Sequence, residues 1–302
     1  MNGKSEVDRL YEGLIGRFVE WAETRQDIRV AVVVGSRARS ELPADEWADL
    51  DIVVVTSKPE YYLTQTDWIS NVGGYWLTFL EPTATGNGTE RRVLFVGGLD
   101  VDFAIIPLAM AENLSQNKIP QNVERQLADT FGRGVRVLVD KDGLFAEILK
   151  KIPSAETRLL PVPTESEYLQ VVNDFLYHAV WTAKHLKRGE LWWAKMCSDC
   201  YMQRLLLQMI EWHACATHGW GYDTWFRGRF LEKWADPRAV EGLRSAFAHY
   251  DADDVGRALI EEVKLFRWIA EETAEKLNYR FQVDVAEHVA EWLKTCLSQR
   301  VT

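Results

Sequence analysis

The sequence predicts an α+β protein in two parts: a mixed-sheet domain over residues 1–155, then a helical bundle over residues 156–302. Three observations predict it. Before residue 155, apolar runs of strand length alternate with segments of helical period. Pro153, Pro161 and Pro163 then break the pattern. From Thr164 to residue 298 the apolar spacing is helical, interrupted near Gly189, Gly219-Trp220-Gly221 and Asp236-Pro237. A chain of 302 residues suits two domains of ~100–200 residues each.

The elements follow in order. Residues 6–24 place Val7, Leu10, Leu14, Phe18 and Trp21 three and four apart, as on one face of a helix. Residues 29–35 and 51–56 are valine-rich apolar runs, as in buried strands. Residues 75–80 and 92–97 flank Pro82-Thr83-Ala84-Thr85-Gly86-Asn87-Gly88, whose composition is that of a turn, so they read as a hairpin. Strands over 99–106, closed by Pro107, and over 135–139 complete a sheet of about five strands. Thr164-Glu165-Ser166-Glu167 matches a capping box and opens a bundle of five or six helices.

Composition narrows the function. The net charge of −10 argues against a nucleic-acid partner, because neutralising phosphates needs a basic face. It suits a cationic ligand better. No apolar run approaches the ~20 residues of a membrane helix. Met1 to Glu6 has no apolar core of the kind an export signal carries, so a cytoplasmic protein without a membrane partner is expected. Cys197 and Cys200 form a lone Cys-x-x-Cys; one helical turn carrying two buried thiols explains it better than zinc or redox chemistry. Thirteen tryptophans, most beyond residue 180, are core fillers first, and some can line a pocket for a sugar ring.

The candidate site lies in the first third. After Val32-Val33-Val34 comes a Gly35-Ser36-Arg37 turn. A glycine–serine turn at a strand end offers backbone N–H groups and a hydroxyl to phosphate oxygens, and a helix starting there favours anions. Arg37 either adds a charged contact or is a surface arginine. Asp49 and Asp51 are two apart, so on a strand they share a face. They repel each other unless a cation lies between them. Asp102, between Val101 and Phe103, is a carboxylate in an otherwise apolar strand, expensive without a partner. Asp100 has the same facing but stands nearer the strand's end. Three carboxylates of this kind suit Mg²⁺ shared with substrate phosphates. The chemistry would be in-line displacement at phosphorus by a hydroxyl.

Two sets of residues carry a resemblance. Gly35-Ser36-Arg37, Asp49-Leu50-Asp51 and Asp102 resemble the nucleotidyltransferase superfamily related to DNA polymerase beta. Asn173-Asp174-Phe175-Leu176-Tyr177, Ala183-Lys184-His185-Leu186, Ala194-Lys195-Met196 and Arg204 to Trp212 resemble the aminoglycoside 6-adenylyltransferases, the streptomycin-modifying resistance enzymes, over roughly residues 5 to 285. The resemblance implies transfer of AMP from ATP to an aminoglycoside hydroxyl, with Mg²⁺. It implies an N-terminal nucleotidyltransferase domain and a C-terminal substrate-binding one. Gly35, Ser36 and Arg37 would hold the triphosphate. Asp49 and Asp51 would hold Mg²⁺, and Asp102 would be a third ligand or the base. Lys195, or failing that Lys184, would reach the β- or γ-phosphate. A cationic acceptor calls for nearby acids, and Asp174, Glu190 and Asp199 are the candidates. The spacer with Glu41, Pro43 and Asp45-Glu46-Trp47 departs from the family pattern, as does Phe175-Leu176-Tyr177-His178. Two alternatives keep some of these features: transfer to another small molecule or a protein hydroxyl, and a nucleotide-binding module without catalysis.

Overall fold

The computed structural model describes residues 5–83, 88–116, 123, 127, 128, 130–152 and 160–298. Ala84 to Asn87, in the expected turn, lie outside the described residues, as do Pro153 and the boundary expected at 155. The chain divides into two compact units, Met1–Arg158 and Leu159–Thr302.

The first unit opens with α1 (Glu6–Thr24). Ser5 and Asp8 form a reciprocal capping box at its start, each side chain bonded to the other's backbone N–H at 3.0 Å. The buried stripe is Tyr11, Leu14, Ile15, Phe18 and Ala22. This is rotated from the expected face: Leu10 is 47% exposed and Tyr11 is buried in its place. The phenol, whose hydroxyl bonds Asp100 at 3.0 Å, lets an aromatic ring take the core position.

The sheet consists of β1 (Ile28–Val34), β2 (Leu50–Thr56), β3 (Tyr75–Pro82), β4 (Thr89–Phe95), β5 (Leu99–Pro107) and β6 (Arg136–Asp140). It has six strands where about five were expected, in the order β3-β4-β5-β2-β1-β6. β2 and β5 are parallel; every other neighbouring pair is antiparallel. Both faces are covered, which is why the central strands are almost wholly apolar. Ile52, Val54, Phe103 and Ile105 pack with Phe18, Tyr62 and Trp68 on one face. Val30, Val32, Val53 and Val55 pack with Ala111, Phe145 and Ile148 on the other.

In the second unit the Thr164–Glu167 capping box opens the helix Glu165–Lys187. The breaks expected from glycine and proline fall between helices, at Gly189, after His218 and at Asp236. Helices Leu191–Met196 and Gln203–His218 are joined by a π-helical turn, Cys197–Met202. The wider turn splits the two thiols: Cys197 is buried but Cys200 is exposed, so the expected buried pair is half right. Pro237–Ala246, Ala252–Leu277 and Val283–Ser298 complete the core, where Phe175 and Phe266 stack at 3.7 Å. Trp212 and Trp234 are buried, as expected of large aromatics, but Trp192 and Trp193 are 66% and 56% exposed.

Candidate active site

Sheet register assembles the site. Val34 pairs with Asp51, Asp51 with Asp102, and Asp102 with Arg92, so one row crosses β1, β2, β5 and β4. Residues two apart on a strand share a face. Asp51, Val53 and Val55 therefore point one way, as do Asp102, Ala104 and Ile106. The carboxylates occupy the top row of this face and aliphatic side chains fill the rows beneath. A cavity of about 240 Å³ runs from Asp51, Asp102 and Glu90 down along Val32, Val53, Val55 and Phe145.

Asp49 stands one residue before β2. Its carboxylate joins those of Asp51 and Asp102, with one oxygen of each within 4.8 Å of the others. Asp49 and Asp51 are half-buried, and Asp102 is buried at 7% exposure. Burial raises the Asp102 carboxyl to about 7; Glu90, Asp49 and Asp100 push it up and Arg92 pulls it down. Asp100 is exposed and bonded to Tyr11, which leaves Asp102 as the inward carboxylate.

Burial thus penalises the charged form in the metal-free fold, and Arg92 offsets that penalty only in part. The linked stability is complete below the unfolded value near 3.8 and is lost as pH rises through about 7. In EDTA, the Tm of wild type measured against Asp102→Asn should fall by a few degrees from pH 5 to pH 8. A gap that stays constant would mean that Asp102 ionises as it does in water.

The turn after β1 is held tightly. Gly35 has φ +69°, and a β-carbon there would lie 2.2 Å from Oδ2 of Asp51. Only glycine lets the backbone pass so close to that carboxylate. Gly134 supports the turn from outside: a β-carbon on it would meet the Ala38 carbonyl at 2.5 Å. The expected helix start is absent, since Gly35–Arg37 form a single 3-10 turn. The hydroxyl of Ser36 is buried with no hydrogen-bond partner, an orphaned donor in the turn beside the carboxylates.

Arg37 is neither a surface residue nor turned toward a ligand. Its Nε donates to the Asp49 carbonyl at 3.0 Å and its Nη2 to the Ala48 carbonyl at 2.7 Å. Its Nη1 pairs with Asp8 at 3.2 Å, and the guanidinium lies 3.6 Å above the Tyr11 ring. Its donors are engaged in holding the strand entry that presents Asp49, which makes it a brace.

Glu90 and Arg92 escaped sequence reasoning, because the strand was expected to begin at 92. Their signal was a charged pair two apart in Glu90-Arg91-Arg92, at the head of an apolar run. Glu90 is 8% exposed, and burial raises its pKa. Arg91 alternates to the opposite face, where its Nε reaches the Tyr62 carbonyl at 2.9 Å.

The remaining candidates lie in the second unit. Lys195 pairs with Asp199 at 2.7 Å, and its ammonium also donates to the Ala248 carbonyl at 2.6 Å. Lys184 is exposed, 5.9 Å from the Trp292 ring centroid. Asp174 accepts the Tyr201 hydroxyl at 2.9 Å and pairs with His178 at 2.7 Å. Glu190 is bonded by His185 and, at 2.8 Å, by Arg188, and these bonds hold its carboxyl below the usual range. Trp181 lies alongside this group, 3.8 Å from the His185 ring and 5.8 Å from Trp193. Asp174 and Glu190 thus flank an aromatic strip formed by Trp181 of the helix Glu165–Lys187 and Trp193 of the helix Leu191–Met196.

The sheet, the glycine–serine turn and the converging aspartates have the form of a nucleotidyltransferase, and known proteins agree. The sequence profile of the family described as Streptomycin adenylyltransferase matches residues 9–296. The chain belongs to that family and is a nucleotidyltransferase enzyme. It is similar to the aminoglycoside 6-adenylyltransferases of Bacillus subtilis (strain 168) and Campylobacter jejuni, at 24% and 22% identity. Those matches cover 87% of this chain in each case, and 90% and 88% of the relatives. The Staphylococcus aureus aminoglycoside 6-adenylyltransferase is 24% identical over 76% of this chain and 78% of its own. A crystal structure of an aminoglycoside 6-adenyltransferase from Bacillus subtilis aligns over 98% of this chain and 100% of that one, with 19% identity and a TM-score of 0.44. No helix among the described residues is long and apolar enough to cross a membrane.

Proposed function

We propose that the chain transfers AMP from ATP to a hydroxyl of a streptomycin-like aminoglycoside and releases pyrophosphate, with Mg²⁺ as the cation. One observation carries this: three aspartate oxygens within 4.8 Å of one another, close to a buried serine hydroxyl that has no partner. Such a donor set fits a hard divalent cation shared with phosphate oxygens. Bound there, the cation would neutralise the triphosphate and favour attack at the α-phosphorus.

The chain's own groups divide the remaining work. Asp49, Asp51 and Asp102 would hold the cation, and Asp102 is also the candidate base for the acceptor's proton. Ser36 donates its hydroxyl to a phosphate oxygen, at a turn that Gly35 leaves open. Arg37 fixes the Asp49 backbone. Lys195 and Lys184 are the lysines offered to the β- and γ-phosphates. Asp174, Glu190 and Asp199 serve the cationic acceptor, with the Trp181–Trp193 strip as a surface for its rings. A net charge of −10 suits a polycationic substrate and disfavours nucleic acid. Use of ATP suits an enzyme of the cytoplasm, where that nucleotide is abundant.

The test is mass spectrometry of an aminoglycoside panel after incubation with ATP and Mg²⁺. A gain of one AMP on a streptomycin-type compound is expected, with pyrophosphate released only when that compound is present. Metal-dependent ATP binding without an adduct on any aminoglycoside would overturn the acceptor assignment.

A further inference from the structure

We propose that Arg92 is a fourth member of this site: its guanidinium is the counter-ion that holds the Asp102 carboxylate in the absence of metal, and it competes with the metal for that carboxylate. This rests on the metal role given above to Asp49, Asp51 and Asp102.

Register places it there. Arg92 is directly opposite Asp102 on the antiparallel neighbour, so both side chains rise from the same face in the same row. Its Nη2 lies 3.2 Å from Oδ2 of Asp102 and 3.1 Å from Oε1 of Glu90, which sets the two carboxylates side by side. Its Nε is 3.2 Å from the same Glu90 oxygen and is ion-paired to Glu81 on β3. One fixed positive charge therefore serves three carboxylates, with Asp49 and Asp51 just beyond.

The environments of the partners decide the consequence. The Asp102 and Glu90 side chains are only 9% and 11% exposed, whereas that of Arg92 is 41% exposed. The buried acids need a cation, and the arginine has room to withdraw. A metal ion sharing Asp102 meets a like charge on the same carboxylate, which lowers its affinity. Glu81 and Glu90 still tether the guanidinium when Asp102 turns to the metal, so Arg92 stays in the site as a positioning residue. Lysine can supply the charge but cannot bridge Asp102 and Glu90 with a planar fork.

The test uses the full-length protein and Mn²⁺ as the probe, without nucleotide, by titration calorimetry. Arg92→Gln should bind Mn²⁺ about five- to tenfold more tightly than wild type. Arg92→Lys should stay within about twofold of wild type, since its charge is retained. In an Asp102→Asn background the Arg92→Gln effect should largely vanish, because the competition passes through that carboxylate. An arginine that merely supports the strand would leave affinity unchanged or weaken it, and either result with Arg92→Gln overturns the proposal. Should Arg92→Gln fail to fold, looser binding by Arg92→Lys than by wild type would overturn it equally. Wild type that binds no Mn²⁺ would instead remove the metal role itself, a failure visible before any variant is compared.

Discussion

Asp51→Asn is expected to abolish AMP transfer while leaving the fold intact. Asp51 sits at the centre of the site row, between Val34 and Asp102, and shares the cation with Asp49 and Asp102 in the proposed mechanism. Asparagine keeps the shape and removes the charge. Losing a metal ligand forfeits several kcal/mol of transition-state charge stabilisation, so turnover should drop roughly a thousandfold or more. Removing one of three mutually repelling carboxylates also relieves the metal-free state. The variant's Tm in EDTA should equal or exceed that of wild type. Pyrophosphate release with ATP, Mg²⁺ and acceptor, together with circular dichroism, measures both effects. Turnover near the wild-type rate would end the metal role of this residue.

Gly35→Ala should be nearly as damaging, and for a different reason. Its backbone has φ +69°, and the new methyl would fall 2.2 Å from the Asp51 carboxylate. Left-handed backbone at a non-glycine residue costs about 1–3 kcal/mol, and the clash adds to it. The turn or the carboxylate must give way. A displacement of ~1 Å at a reacting centre can cost about a hundredfold in rate. The variant should therefore lose stability and turnover together, unlike Asp51→Asn, which loses turnover alone. Thermal unfolding and kcat measured on the same preparation separate the two. A stable, active Gly35→Ala would mean that the turn does not constrain Asp51.

Much of this was legible in the sequence because it is local. Strand composition and residue pairs two apart are written in consecutive positions, so Asp51 and Asp102 could be placed on strands and given a face. The capping box at Thr164 and the glycine and proline breaks were readable for the same reason. What escaped was set by pairing between distant segments. Nothing near Arg37 in sequence indicates that its guanidinium will bond the carbonyls of Ala48 and Asp49 rather than a ligand. Nothing near Arg92 announces Asp102 as its cross-strand partner; that follows only from β4–β5 register. The helix face of α1 was misjudged because hydropathy alone ranks Leu10 above Tyr11, whose hydroxyl has a partner in Asp100.

The parallel pairing of β2 with β5 gives this chemistry an unequal tolerance to changes in chain length. Residues gained or lost in the loops of the connection, outside β3 and β4, leave both lateral rungs where they are. A single residue gained inside either strand would turn its aspartate through the sheet into the aromatic core beneath α1, where neither cation nor phosphate can follow. Divergence among such enzymes can lengthen and recolour loops away from the Gly35–Arg37 turn, while β2 and β5 can vary only by substitution.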